Sequence, residues 1–159
     1  MISLENKTVM VVGGGRGIGS SIASVLAQSG VHIWVIDTDR TTNSINHYQS
    51  QAINGFSEAE QLCQTLRAHG HSAQAYNLDA TQESAVVTAV AEITAQSENF
   101  YGVVNAIGST NVCYAVDTQL DDFTALLQTN LIAPYLVSRE VAKTLIARKL
   151  GGAIINISS

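Results

Sequence analysis

Val9-Met10-Val11-Val12-Gly13-Gly14-Gly15-Arg16-Gly17-Ile18-Gly19 is the stretch on which the fold turns. An apolar run of strand length ends in a glycine cluster, and a helical pattern begins at once. The spacing is Gly13-x-x-x-Gly17-x-Gly19. Residues without Cβ let the chain turn tightly and bring bare backbone close to a pyrophosphate. The first turn of the following helix then offers N–H groups and the positive end of its dipole. Turns use glycine for conformational reasons alone, so the context carries the reading. That context is a strand before, a helix after, and an acid at the end of the next strand. Gly13, Gly15, Arg16, Gly17, Ile18 and Gly19 are therefore the candidate dinucleotide contacts.

Working outward, residues 17–29 carry Ile18, Ile22, Val25 and Leu26 at helical spacing, which predicts one apolar stripe. Gly30 is placed as the helix stop. Residues 31–36 form an apolar run of strand length, and Asp37 ends it, 18 positions after Gly19. A ribose-binding carboxylate is expected roughly 20 positions on. Such a group accepts hydrogen bonds from the ribose hydroxyls and repels a 2′-phosphate, so NAD is expected over NADP. Arg16 and Arg40 are the cations that weigh the other way.

Taken with motifs further along, these residues resemble the short-chain dehydrogenase/reductase family. Val12 stands where that family's glycine motif has a Thr. Asp79 matches its Asp near the adenine, and Asn105-Ala106-Ile107-Gly108 matches its Asn-Asn-Ala-Gly, departing at Ala106 and Ile107. Asn130 matches its helix asparagine, and the run from Gly152 to Ser159 matches the strand leading to its catalytic serine. The resemblance makes Asn105 and Gly108 cofactor-side residues. It makes Asn130 and Ser159 catalytic ones: Ser159 would hold the substrate oxygen, and the Asn130 backbone carbonyl would hold a water.

The chain has 159 residues, 46% of them hydrophobic, enough for one domain with a core. A net charge of −5 argues against nucleic acid or an anionic membrane as partner. No apolar run is long enough to span a bilayer, and residues 1–10 do not read as a signal peptide. Cys63 and Cys113 make no C-x-x-C, which predicts two at least partly buried thiols in the cytoplasm.

Residues 41–55 are rich in Ser, Thr, Asn and Gln and read as a long loop. Against the family's pattern this is an insertion, and in some members such an insertion folds over the bound cofactor. Ser57-Glu58-Ala59-Glu60 has capping-box spacing, with Ser57 as N-cap. Thr81 is the expected cap of the next helix, whose Val86, Ala89, Val90 and Ile93 share one face. Further strands are expected at 72–76, 101–105 and 153–157, and a long helix at 118–148. Within that helix, Pro134 cannot donate to the Asn130 carbonyl, which predicts a kink. Alternating strands and helices mean a parallel sheet covered on both faces, an α/β Rossmann-type doubly wound domain over residues 1–159. The resemblance supplies the strand order 3-2-1-4-5, with the chain stopping after the fifth strand.

The resemblance implies hydride transfer between a nicotinamide and an alcohol or ketone. The family's Tyr-x-x-x-Lys does not follow Ser159, so the 159-residue chain is expected to bind NAD and turn over poorly by itself. Tyr135 and Arg139 share a helix explained by packing and are rejected as its replacement. A nucleotide-sensing or interaction module is the alternative, and the glycine spacing disfavours a methyltransferase. His69-Gly70-His71 reads as a helix stop, and no metal site is expected. The 118–148 helix carries Phe123, Leu127, Leu131, Val141 and Leu145 on one stripe and Leu126, Leu136, Val137 and Ile146 off it. That surplus predicts a homo-oligomer, as does the apolar strand 153–157 if it lies at an edge.

Overall fold

The computed structural model describes residues 3–39 and 54–158. Ser159, Arg40 and residues 41–53 of the expected insertion lie outside them. The elements run β1 (Thr8–Val12), α1 (Gly17–Gln28), β2 (His32–Asp37), α2 (Gly55–Ala68), β3 (Ala73–Asn77) and α3 (Glu83–Ala95). Then come β4 (Phe100–Asn105), a short 3₁₀ turn (Ala115–Asp117), α4 (Leu120–Leu127), a π-helical turn (Gln128–Ile132), α5 (Ala133–Ala147) and β5 (Ala153–Asn156). The five strands pair in parallel in the order β3-β2-β1-β4-β5, as expected.

Because side chains alternate along a strand, β1 and β2 each feed two cores, whereas β5 contributes to neither. Met10, Val12, Trp34 and Ile36 face α3 and α5, while Val9, Val11, Ile33 and Val35 face α1 and α2. Both faces are buried, so β1 and β2 read as unbroken apolar runs rather than alternating ones. Phe100, Met10, Ile33 and Ile36 are almost fully enclosed. Each such side chain contributes about 1.5–3 kcal/mol through burial. Val86, Ala89, Val90 and Ile93 form the buried face of α3 as predicted.

Four local expectations are corrected. In α1 the sheet-facing residues are Gly19, Ala23 and Ala27, with Ile22 and Leu26 beside them, while Ile18 and Val25 are exposed. Small residues lie underneath because this helix packs close to the strands. Ser57 is not the cap of α2, which starts at Gly55. The Asp39 carboxylate, arriving from the end of β2, accepts the N–H groups of Phe56 at 2.9 Å and Ser57 at 3.1 Å. Thr81 does not cap α3. Its N–H and hydroxyl both donate to Asp79 Oδ1, at 3.1 and 2.6 Å. Cys113 is exposed, not partly buried.

The expected long helix breaks where Pro134 requires it. An α-helix would need an N–H from residue 134 for the Asn130 carbonyl. Instead the chain widens to a π turn, and Pro134 falls in the first turn of α5, where a missing N–H costs little. The buried face of α5 is Ala133, Leu136, Val137, Val141 and Leu145. Phe123, Leu127 and Leu131, expected on the same stripe, are exposed, and no residue of α4 is buried.

Candidate functional site

In the sheet order, β1 lies between β2 and β4, so the loops leaving β1 and β4 part over the carboxyl ends of the strands. In open α/β sheets such a switch point is where ligands sit. Two clefts open there, of about 380 and 430 Å³, sharing the wall Ile107, Gly108 and Ser109. Gly13, Arg16, Asp37, Asp79 and Gly108 line the first. Gly108, Asn130 and Ser158 line the second.

The glycine turn is tied to β2 before it reaches the cleft. Gly13 and Gly14 donate their N–H groups to the Ile36 carbonyl, at 2.8 and 3.0 Å. Gly15 N–H donates to Asp37 Oδ2 at 2.9 Å, and Thr38 N–H to Asp37 Oδ1 at 2.9 Å. An ionised carboxylate has about four acceptor sites, so two bonds fix Asp37 without exhausting it. Gly13 has φ +75°, and its carbonyl oxygen lies 2.1 Å from where a Cβ on Gly19 would stand. The turn and helix α1 meet backbone to backbone, a cradle that a methyl group would fill. Gly17, at φ +52°, opens α1, and the exposed Ile18 follows it. The first turn of α1 holds no acidic residue. Its leading N–H groups have no carbonyl a turn earlier in the helix, so the positive end is left for an anion.

The N-terminus of α2 rests on this turn. A Cβ on Gly15 would stand 2.2 Å from the Gly55 carbonyl oxygen, and one on Gly55 would stand 2.3 Å from Asp37 Oδ1. One turn into α2, Glu58 reaches the Arg16 guanidinium, Oε2 to Nε 3.3 Å. None of these three contacts has a signal in the sequence, because each joins residues separated by the 40–53 stretch.

Asn105 lies beneath the clefts rather than in their walls. It is buried, and its Nδ2 donates to Ser138 Oγ at 3.0 Å and Asn156 Oδ1 at 2.8 Å, holding β4, β5 and α5 together. Its Oδ1 and the Ser109 hydroxyl are buried with no hydrogen-bond partner among the described residues. Asn130 pairs both ends of its amide with Ser109: Oδ1 accepts the N–H at 2.8 Å and Nδ2 donates to the carbonyl at 2.9 Å. The π turn thus pins the loop after β4. Thr38, Gln82, Gln128 and Thr129, which belong to no motif in the sequence, also line the first cleft, as does Thr81, expected only as a helix cap. Gln128 and Thr129 adjoin Asn130, a neighbourhood that could have flagged them.

Other candidates fall away. Arg139 is held by Glu83 at 2.6 Å and Glu140 at 2.8 Å, and it stacks over Tyr135. His69 Nδ1 lies 2.8 Å from the Thr65 carbonyl at the end of α2. No group of three or more potential metal ligands occurs among the described residues. Burial pushes the Cys63 thiol up to about 11, which keeps it neutral and inert. No helix among them is long and apolar enough to cross a membrane.

Comparison with known proteins assigns this arrangement. Residues 7–159 match the family model of the short chain dehydrogenases, and the chain belongs to that family. It is 28% identical over 156 residues to an uncharacterized oxidoreductase of Thermotoga maritima, covering 98% of this chain and 54% of that protein. It is 32% identical over 158 residues to a 3-oxoacyl-(acyl-carrier-protein) reductase of Chlamydia trachomatis, covering 98% and 56%. Among solved structures, a citronellol catabolism dehydrogenase of Pseudomonas aeruginosa superposes with a TM-score of 0.80 at 29% identity, covering 98% and 57%. The chain spans a little over half the length of these relatives.

Proposed function

We propose that this chain binds NAD across the two clefts and forms the cofactor-binding part of an oxidoreductase acting on a small alcohol or ketone. The observation that carries the reading is the Asp37 carboxylate, held by Gly15 and Thr38 N–H groups beside the glycine turn. The pyrophosphate would lie over Gly13, Gly15, Gly17, Ile18 and Gly19 at the N-terminus of α1. Asp37 would accept the adenosine ribose hydroxyls, Asp79 would flank the adenine, and Gly108 would let the nicotinamide half pass. Asn105 would act from beneath, by holding the strand ends. When bound, the nicotinamide supplies the hydride-transferring ring. Asn130 fixes the loop that carries Gly108 and Ser109, and Ser159 would hydrogen-bond the substrate oxygen. The cradle between Gly13 and Gly19 and the unpartnered Ser109 hydroxyl in the wall shared by the two clefts suit such a ligand.

NADH is expected to bind tighter than NADPH by about tenfold, or 1.4 kcal/mol, because a 2′-phosphate would approach the Asp37 charge. In Asp37→Ala that gap should narrow. Calorimetry with both nucleotides and S-adenosylmethionine, at one salt concentration, checks it. Equal affinities in the unaltered chain would remove Asp37 from the ribose role, and tighter binding of S-adenosylmethionine would overturn the reading.

The same chain is proposed to self-associate through α4 and the π turn. Phe123 and Leu131 are 51% and 59% exposed on one side of them, with Leu127 between. β5 adds Ile154 and Ile155 at the edge of the described sheet, also exposed. Light scattering at tens of micromolar should show a dimer or larger species, and Leu131→Asp should shift it toward the monomer. A stable monomer in the unaltered chain would sink the expectation.

A further inference from the structure

We infer that Glu58 sets the choice between NAD and NADP by engaging Arg16, a specificity role that rests on the dinucleotide reading above. Arg16 follows Gly15 directly, and the Gly15 N–H sits on Asp37. The residue after the glycine contact is thus a cation lining the same cleft as the ribose carboxylate. A cation in that position is what accommodates a 2′-phosphate. The charge of Arg16 counters that of Asp37, since one attracts the phosphate that the other repels.

Helix α2 resolves the conflict. Its first turn rests on the glycine turn through the Gly15–Gly55 contact, which delivers Glu58 to the guanidinium at 3.3 Å. Both side chains remain over a third exposed. As a stabilising ion pair this is worth little. As a filter it acts differently: the Glu58 carboxylate competes with a 2′-phosphate for Arg16. A ligand bearing only ribose hydroxyls does not enter that competition. Arg16 is therefore a phosphate reader kept engaged from within the chain.

Affinities for NADH and NADPH, measured calorimetrically at one salt concentration on the unaltered chain and on Glu58→Gln, test this. Glu58→Gln is expected to tighten NADPH by about tenfold, the scale of one charge-assisted hydrogen bond gained, and to change NADH by less than about twofold. In Arg16→Gln with Glu58→Gln, the NADPH gain should vanish. Glu58→Asp keeps the charge and should stay close to the unaltered ratio. A first-turn carboxylate also favours the helix dipole, but losing that would lower the folded population and move both affinities together, leaving their ratio fixed. An unchanged ratio in Glu58→Gln, with NADH still bound, overturns the role of Glu58 and leaves the dinucleotide reading standing. Failure of the unaltered chain to bind either nucleotide overturns both.

Discussion

Gly19→Ala is expected to weaken NADH binding by on the order of 100-fold, because the added methyl group strikes backbone that cannot move aside locally. An alanine Cβ would stand 2.1 Å from the Gly13 carbonyl oxygen and 3.0 Å from Gly14 Cα. No side chain is involved that could rotate away. Relief requires lifting α1 off the turn or displacing the turn itself, and either change withdraws N–H groups from the pyrophosphate. Each charge-assisted hydrogen bond lost costs about 1.5–3 kcal/mol, so one or two account for the factor. Overpacking should cost about 1–3 kcal/mol of stability as well. Calorimetric titration together with a melting curve separates the two effects. Gly151→Ala is the control, since a Cβ there meets nothing within 4 Å. An unchanged Kd in Gly19→Ala would show that α1 tolerates the shift and that the close approach is not what holds the phosphate.

The second large effect is on stability alone. Gly102→Ala is expected to cost about 3 kcal/mol or more, from strained backbone and overpacking together. Gly102 lies in β4 beside a register irregularity, where Thr8 faces Phe100 but Val9 faces Gly102, leaving Tyr101 as the extra residue. Its φ is +157°, and a Cβ would stand 1.8 Å from the carbonyl oxygen of Ala153 on β5. Relief must come from the β4–β5 pairing, far from the glycine turn. The melting temperature should fall by about 6–12 °C, while NADH affinity per folded molecule stays close to that of the unaltered chain. A fall of less than about 2 °C would mean that β5 yields freely along this edge.

Much of the architecture was legible because β1, β2 and α3 are governed by burial. A strand covered on both faces must be apolar throughout, and α3 packs one face on the sheet, so its spacing named the right residues. Strand order was not legible from spacing, since parallel strands of similar composition carry no label, and it came from the resemblance. What stayed hidden depends on contacts across long gaps. Asp39 caps α2 from beyond residues 40–53, and Glu58 reaches Arg16 across the same interval. The stripe assigned to α1 failed for another reason. The rule seeks large apolar residues, whereas a helix pressed close to a sheet presents its smallest ones, Gly19, Ala23 and Ala27. For the site, Asp37 and the glycines were readable as a motif, but Thr38, Thr81 and Gln128 became visible only where the loops after β2 and β3 meet the π turn.

The π turn at Gln128–Ile132 behaves as a phase offset in a geared shaft. Two registrations are imposed on one continuous helical path. Upstream, the Asn130 amide must meet Ser109 squarely, while Phe123 and Leu127 look outward. Downstream, Ala133, Val137, Val141 and Leu145 must all look inward to the sheet. A regular helix advances about 100° per residue, and a π turn accommodates one residue more than an α turn. Deleting a single residue from this segment would restore regular geometry and leave the two registrations about 100° apart. Either Asn130 would swing off the loop after β4, or the α5 stripe would roll off its bed. The wide turn is how the path satisfies both, and Pro134, two residues beyond it, blocks a return to the uninterrupted helix.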